Sequence, residues 1–307
     1  MTAYAHNRMH PVLQFLILIC MTVFLILIGS VVGMLIVSTK YDFSLADLRS
    51  LNPHSPNAAT GLWILQICSG TLPLLISPIL FAWLIMREPQ EYLKTRFNIS
   101  LLVMLLAFTV MIVSTAFIEG LTVFNQKLSL PENLKWLEEV IRQMEKQAEA
   151  TMKILLKMDT IGQLAFNLLV IGLITGIAEE FLFRGCMQTI LMQWFKKPHA
   201  AIWVTAFIFS FFHFEFFGFL PRMALGVLFG YFAWWSGSIW PAVLGHFFNN
   251  GFAVLLTYLY QHHQIKGNPD ENLTINPAVY IISLILTVVL LLLYKRIALA
   301  EKQEQHY

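Results

Sequence analysis

Charged residues are scarce in this sequence, since 12% of its 307 residues are Asp, Glu, Lys or Arg and 57% are hydrophobic. A soluble domain of this size does not need so much apolar surface, and the composition therefore excludes an ordinary soluble protein. Apolar runs of about 18 residues or more, without strict alternation, are typical of membrane-spanning helices and exclude a β-barrel. The sequence predicts an all-α, polytopic integral membrane protein.

Cysteines are also few, and Cys20, Cys68 and Cys186 lie in separate apolar runs without forming a CxxC pair. This spacing supports neither a disulfide framework nor a thiolate metal site. The net charge of +2 gives no reason to expect a nucleic-acid partner, and the first partner to expect is the lipid bilayer.

About eight apolar runs are long enough to predict transmembrane helices. They lie at residues 11–38, 61–86, 99–117, 161–194, 200–217, 221–235, 239–260 and 277–293. The first run is too long for a signal-peptide core and no small-residue cleavage site follows it, so we expect it to be retained. We find no internal repeat, and the whole chain, residues 1–307, is predicted to be one membrane domain.

The distribution of basic residues predicts an orientation. With eight spans, four groups of Lys and Arg fall on one side of the membrane: Arg8, Arg87 with Lys94 and Arg96, Lys196 with Lys197, and Lys295 with Arg296. The positive-inside rule then places both termini in the cytoplasm. We expect the cell (plasma) membrane.

The stretch from residue 129 to 159 departs from the rest by being strongly charged. Ser129-Leu130-Pro131-Glu132 predicts a capping box at its start. Apolar residues then recur at three-and-four spacing, which predicts one amphipathic helix outside the hydrocarbon. Such a helix can cover the core, lie on the membrane surface, bind a partner or act as a solvated connector, and the sequence leaves these roles open.

Three ionisable residues interrupt the apolar run at 161–194, namely Glu179, Glu180 and Arg184. Charges inside a lipid-length segment are costly, so they indicate a functional site, or else an ion pair that joins two spans. On a helix Glu180 and Arg184 lie four apart and can pair, whereas Glu179 points about 100° away. This suggests a structural role for Glu180 and a chemical one for Glu179. A helix of about 50 Å exceeds the bilayer core, so we expect a projection or a kink near Gly172 or Gly176.

Of nine histidines, only His213 and His246 lie well inside apolar runs. Helical spacing puts Phe209 on the same face as His213, and Asn250 on the same face as His246. A single buried histidine is usually a hydrogen-bonded core residue. Two of them, together with the glutamate pair and an intramembrane asparagine, favour a functional site.

The segments AEEFLFRG, FSFFHF and GSIWPAVLGHFFNN resemble, in order and spacing, three motifs of one protease family. These are the EExxxR, FxxxH and HxxxN motifs of the CAAX protease and bacteriocin-processing (CPBP, or Abi) intramembrane endopeptidases. All three motifs are intact here, each on its own apolar run. The resemblance covers about residues 172–252, within a catalytic core that we place at 160–260.

The resemblance implies an intramembrane glutamic endopeptidase that needs no cofactor. Glu179 and His213 would activate a water, His246 and Asn250 would hold the oxyanion, and Glu180, Arg184 and Phe209 would shape the site. The substrate would be a membrane-associated peptide, either CaaX-like or of the leader type. The residue types fit this chemistry, because hydrolysis needs a base for water and donors for the tetrahedral intermediate.

Two alternatives remain at this stage. Glu179, His213 and His246 can instead be the ligands of a His₂Glu zinc protease, although the HExxH motif is absent. A transporter or scaffold with a Glu and His proton relay is the alternative from another class. Transporters usually contain repeated halves, which this sequence does not show.

Overall fold

The computed structural model describes residues 9–41, 57–268 and 276–304. Arg8 and most of the polar stretch after the first span lie outside these residues. The helices are α1 Pro11–Tyr41, α2 Ala58–Met86, α3 Pro89–Leu93, α4 Leu101–Gln126, α5 Lys135–Leu155, α6 Ile161–Phe195, α7 Pro198–Phe211, α8 Phe219–Ser236, α9 Trp240–Gln261 and α10 Pro277–Glu304. No strand occurs within the described ranges, and the prediction of an all-α polytopic protein is confirmed.

Among the described residues, six helices are long and apolar enough to cross a membrane: α1, α2, α4, α6, α9 and α10. The two other predicted spans also form helices. Helix α7 has 14 residues, and α8 has 18 residues that include Arg222. The chain is therefore an integral membrane protein whose α7 and α8 pack within a bundle of longer helices.

Helix α6 is not uniform along its 35 residues. Thr160 and Gln163 form the capping box that starts it, and two π-helical turns, Leu168–Ile174 and Phe181–Met187, interrupt it. Such turns are a usual cause of kinks and are frequent at functional sites. The first contains Gly172, where the sequence predicts a kink, and the second begins directly after Glu180.

The amphipathic helix predicted between residues 129 and 159 is α5. Its predicted capping box is wrong, because Pro131, not Ser129, precedes the first turn, which is a 3₁₀ turn at Glu132–Leu134 without a side-chain cap. The proline fixes an extended backbone before the turn, so the serine lies two residues too early to cap it. Trp136, Val140 and Met144 form one exposed edge of α5.

Two hydrophobic clusters form the interior. The first joins α1, α2 and α7 to the second half of α6 and includes Phe183 and Phe209. The second joins α4, α8, α9 and α10 and includes Phe229. The polar side chains singled out by the sequence lie where these two clusters meet, since Phe209 and Phe229 both contact His246.

Candidate active site

Glu179, His213 and His246 converge although they come from three segments of the chain. The carboxylate oxygen Oε2 of Glu179 lies 3.6 Å from Nε2 of His246 and 4.0 Å from Nε2 of His213. Both distances exceed a direct hydrogen bond. The Oε2 atom is buried and has no hydrogen-bond partner among the described residues. One carboxylate oxygen is thus faced by two ring nitrogens across gaps of similar length.

Glu180 faces the opposite way and is fully buried. Its Oε1 atom accepts a hydrogen bond from Arg184 at 2.8 Å and lies 2.8 Å from Nδ1 of His246. The predicted ion pair between Glu180 and Arg184 is therefore present, with both side chains entirely shielded. Arg184 also donates to the backbone carbonyl of Gly226 at 3.0 Å. A buried charge pair needs such additional hydrogen bonds to offset its desolvation.

Aromatic rings surround the guanidinium of Arg184. Its central carbon lies 4.6 Å from the ring centre of Phe209, 5.3 Å from that of Phe229 and 5.9 Å from that of Phe183. Cation–π attraction at these distances is strongest where water is excluded. The predicted site residue Phe209 therefore lies against Arg184, and it also contacts the rings of His213 and His246.

His213 lies just beyond the end of α7, in a turn rather than inside the helix. Its Nδ1 atom is 2.9 Å from the carbonyl oxygen of Phe209. A carbonyl only accepts hydrogen bonds, so Nδ1 must carry the proton and Nε2 is the nitrogen that faces Glu179. The carbonyl of Phe209, four residues earlier, thus fixes the orientation of the His213 ring, although α7 ends at Phe211.

His246 and Asn250 lie one turn apart on α9. The contact with Glu180 requires a hydrogen on Nδ1 of His246, which again directs Nε2 at Glu179. The side-chain amide of Asn250 donates one hydrogen bond, at 3.3 Å, to the carbonyl of Ile171 in the first π-helical turn of α6. A Cβ at Gly176 would lie 3.6 Å from the His246 side chain, an ordinary van der Waals contact, so α6 and α9 lie close together at this point.

Sequence reasoning missed several residues around the site, of which Gly226 and Phe229 are the most important. Phe229 stacks on the His246 ring with centres 5.2 Å apart and planes at 19°. A Cβ at Gly226 would lie 3.0 Å from that of Ala206, so glycine allows α7 and α8 to approach each other. The spacing of Gly226 and Gly230 was a usable signal, because two small residues four apart mark a close helix contact.

The zinc alternative can be tested against this geometry. Around zinc, tetrahedral N and O ligands lie about 3.4 Å apart. The gaps of 3.6 Å and 4.0 Å from Glu179 are wider, and no group of three His, Cys, Asp or Glu within the described ranges is arranged to hold a metal ion. A zinc site would need His213 to move toward Glu179.

The site lies in the part of the chain that resembles known proteases. Residues 161–252 match the family model described as Type II CAAX prenyl endopeptidase Rce1-like. This region is therefore similar to CAAX proteases, and the match supports an intramembrane endopeptidase. The match is to an Rce1-like domain and agrees with the resemblance to the CPBP family. No curated protein and no solved structure matches the chain.

Proposed function

We propose that this protein hydrolyses a peptide bond of a membrane-associated peptide by means of a water activated by Glu179 and His213. The observation that carries the proposal is the convergence of two ring nitrogens on the unpaired Oε2 of Glu179. In the neutral rings Nδ1 holds the hydrogen, so all three converging atoms are acceptors. A water between them would donate one hydrogen to Oε2 of Glu179 and the other to a ring nitrogen, and contacts longer than 3.5 Å are often bridged in this way.

In this mechanism Glu179 takes a proton from the water while the water oxygen attacks the carbonyl carbon of the peptide. His213 shares that proton through Nε2. The proton then passes to the amide nitrogen as the carbon–nitrogen bond breaks. A carboxylate with 11% side-chain exposure is suited to this work, since exclusion of solvent strengthens its interactions.

His246 and Asn250 are proposed to stabilise the oxyanion of the tetrahedral intermediate. Only one hydrogen of the Asn250 amide is used by Ile171, so the other is available as a donor. His246 faces Glu180 through Nδ1, so this ring donates to an oxyanion only when Nε2 carries a hydrogen. Donors held in place before reaction are usually the largest single contribution to catalysis of this type.

The proposed substrate is a CaaX-like or leader-type peptide held at the bilayer, and the protein acts without a cofactor. We further propose a glutamic rather than a zinc mechanism, because the separations of Glu179 from the two histidines are wider than the spacing of zinc ligands, while Glu180 is paired with Arg184. The proposed location is the plasma membrane with both termini in the cytoplasm. The charges at 87–96 and 295–296 support that orientation.

The test uses purified full-length protein in detergent with a panel of prenylated and leader peptides, and mass spectrometry of the products. We expect internal cleavage at a defined bond by the wild type and none by Glu179→Ala. Hydrolysis that survives in the Glu179→Ala variant would contradict the mechanism. An absence of cleavage across the panel by well-folded wild type would contradict the activity itself.

A further inference from the structure

The turn that carries His213 has little regular structure of its own. Residues 212–218 join α7 to α8, and Phe214 adopts a left-handed backbone with φ of 53°. That conformation is uncommon for a bulky residue and persists only where surrounding contacts impose it. The position of His213 against Glu179 therefore depends on what holds this turn.

One support comes from α4. Asn125 is 1% exposed and makes two hydrogen bonds to the backbone that follows His213. Its amide nitrogen donates to the carbonyl of Phe216 at 2.8 Å, and its amide oxygen accepts from the N–H of Leu220 at 2.6 Å. A buried asparagine used in this way fixes a turn to a neighbouring helix.

A second support comes from the amphipathic helix α5. The carboxylate of Glu145 accepts a hydrogen bond from the N–H of Phe217 at 3.1 Å. The guanidinium of Arg142 lies 3.8 Å from the centre of the Phe217 ring, which is 7% exposed. Helix α5 thus contacts both the backbone and the side chain of Phe217, four residues after His213.

Arg142 is itself held in place by Glu138. One oxygen of Glu138 accepts from Arg142 at 3.0 Å and 2.7 Å, and the other accepts from the N–H of Leu130 at 2.9 Å. The Leu130 and Arg142 contacts lower the pKa of the Glu138 carboxyl, so it remains charged into the acidic range. A continuous series of contacts therefore runs from the start of α5 to the turn of His213.

We propose that Glu145, with Arg142 beside it, positions His213 for catalysis by fixing Phe217 and the turn 212–218. This inference rests on the proposed function. Glu145 acts as a positioning residue, because it contacts the turn through Phe217 rather than the reacting groups. Both α5 and Asn125 precede residues 161–252, the region that matches the family model. Helix α5, whose role the sequence leaves open, thereby acquires a role at the proposed active site.

The expected effect follows from the contacts. In Glu145→Ala the N–H of Phe217 loses its acceptor, and the turn can shift relative to Glu179. Misplacement of a catalytic group by about 1 Å lowers rate by up to about 100-fold. We expect kcat to fall roughly 10-fold to 100-fold with little change in KM, since substrate binding is not altered. Glu145→Gln keeps an oxygen acceptor and should restore most of the rate.

The experiment compares Glu145→Ala, Glu145→Gln and a control, Glu139→Ala, which changes an exposed glutamate on the same helix. Hydrogen exchange of peptides covering 212–218 is measured beside kcat and KM. Support requires faster exchange and lower kcat in Glu145→Ala alone. Unchanged exchange, or equal losses of kcat in the Ala and Gln variants, would overturn the proposal. The exchange measurement does not depend on activity, so it tests the proposal even if the wild type cleaves no peptide.

If Glu145→Ala does not fold, Arg142→Lys provides the test. Lysine keeps the charge of residue 142 but lacks the planar guanidinium that stacks on Phe217. We expect faster exchange at 212–218 and a smaller fall in kcat than in Glu145→Ala. An Arg142→Lys variant with the exchange and kcat of the wild type would overturn the proposal.

Discussion

Nδ1 of His246 lies 2.8 Å from Oε1 of Glu180, the same oxygen that accepts from Arg184. The two adjacent glutamates therefore have different surroundings. Both Oε2 atoms are buried without a hydrogen-bond partner among the described residues, but Oε1 of Glu180 is held by Arg184 and His246, whereas Oε2 of Glu179 faces two ring nitrogens. The carboxylate that pairs with Arg184 supports its neighbours, and the carboxylate that faces the two ring nitrogens is the candidate base.

Glu179→Gln and His213→Ala should each abolish most of the proteolysis while leaving the fold intact. General-base catalysis contributes about 10²-fold to 10⁴-fold, and neither side chain makes a direct hydrogen bond to the other. The measurement is single-turnover cleavage together with a thermal melt in detergent. Turnover at the wild-type rate in either variant would remove that residue from the mechanism.

Asn250→Ala should lower kcat far more than it raises KM. Loss of one oxyanion donor typically costs about 2.7 to 4 kcal/mol of transition-state stabilisation. Asn250→Asp is the matched variant, since it keeps the size of the side chain but loses the N–H donor. Equal and small effects of both substitutions on kcat would indicate that Asn250 only packs against Ile171.

Metal content separates the glutamic mechanism from the zinc mechanism. We expect little or no stoichiometric zinc in the purified protein, and activity that resists chelators. Elemental analysis before and after chelation is the direct measurement. If about one equivalent of zinc is lost together with the activity, and both return when zinc is added back, Glu179 is a zinc ligand instead of a base.

The Glu180 and Arg184 pair can be examined with a double-mutant cycle. Removing either partner leaves a charge in a fully buried site and should cost about 3 to 5 kcal/mol. The double variant Glu180→Leu with Arg184→Met leaves neither charge of the pair behind. Its loss of stability should therefore be smaller than the sum of the losses in the two single variants. Thermal melts that show strict additivity would exclude coupling between the two side chains.

Lys94 lies between α3 and α4 and should make the free energy of unfolding depend on pH. Burial, assisted by the positive charge of Lys302, lowers its pKa from 10.5 to about 8. Between these two values the unfolded chain binds more protons than the folded one, so the free energy of unfolding should rise with pH. Melts from pH 8 to 10.5 should show a smaller rise in Lys94→Met than in the wild type. Lys266→Met, which changes an exposed lysine, should keep the wild-type rise.

The sequence predicts the helices well because each long apolar run has one stable form in lipid, with its backbone bonded internally. It also predicts the contact of Glu180 with Arg184, which depends only on local spacing. Helix ends are predicted less well. Helix α4 continues nine residues beyond the predicted end at Phe117, to Gln126, and α7 stops before His213. These limits depend on contacts with other segments, such as those of Asn125 with the turn of His213.

Contacts between distant segments could not be predicted from spacing alone. The approach of His246 to Glu180 depends on how α9 packs against α6, and the π-helical turns of α6 alter which residues share a face. The stacking of Phe229 on His246 follows from the same packing. Periodicity describes one helix at a time, whereas these contacts are set by pairs of helices.

The placement of the partners of Glu180 bears on how the protein is made. Arg184 follows Glu180 by four residues on one helix, whereas His246 follows it by 66 residues on another. The ion pair can therefore form as soon as α6 becomes helical during synthesis. A lone charge at the bilayer centre costs about 2.5 to 3.5 kcal/mol on insertion scales, and a neutral pair reduces this cost. His246 arrives later with α9, so the newly made chain acquires its complete centre only after 66 further residues have been added.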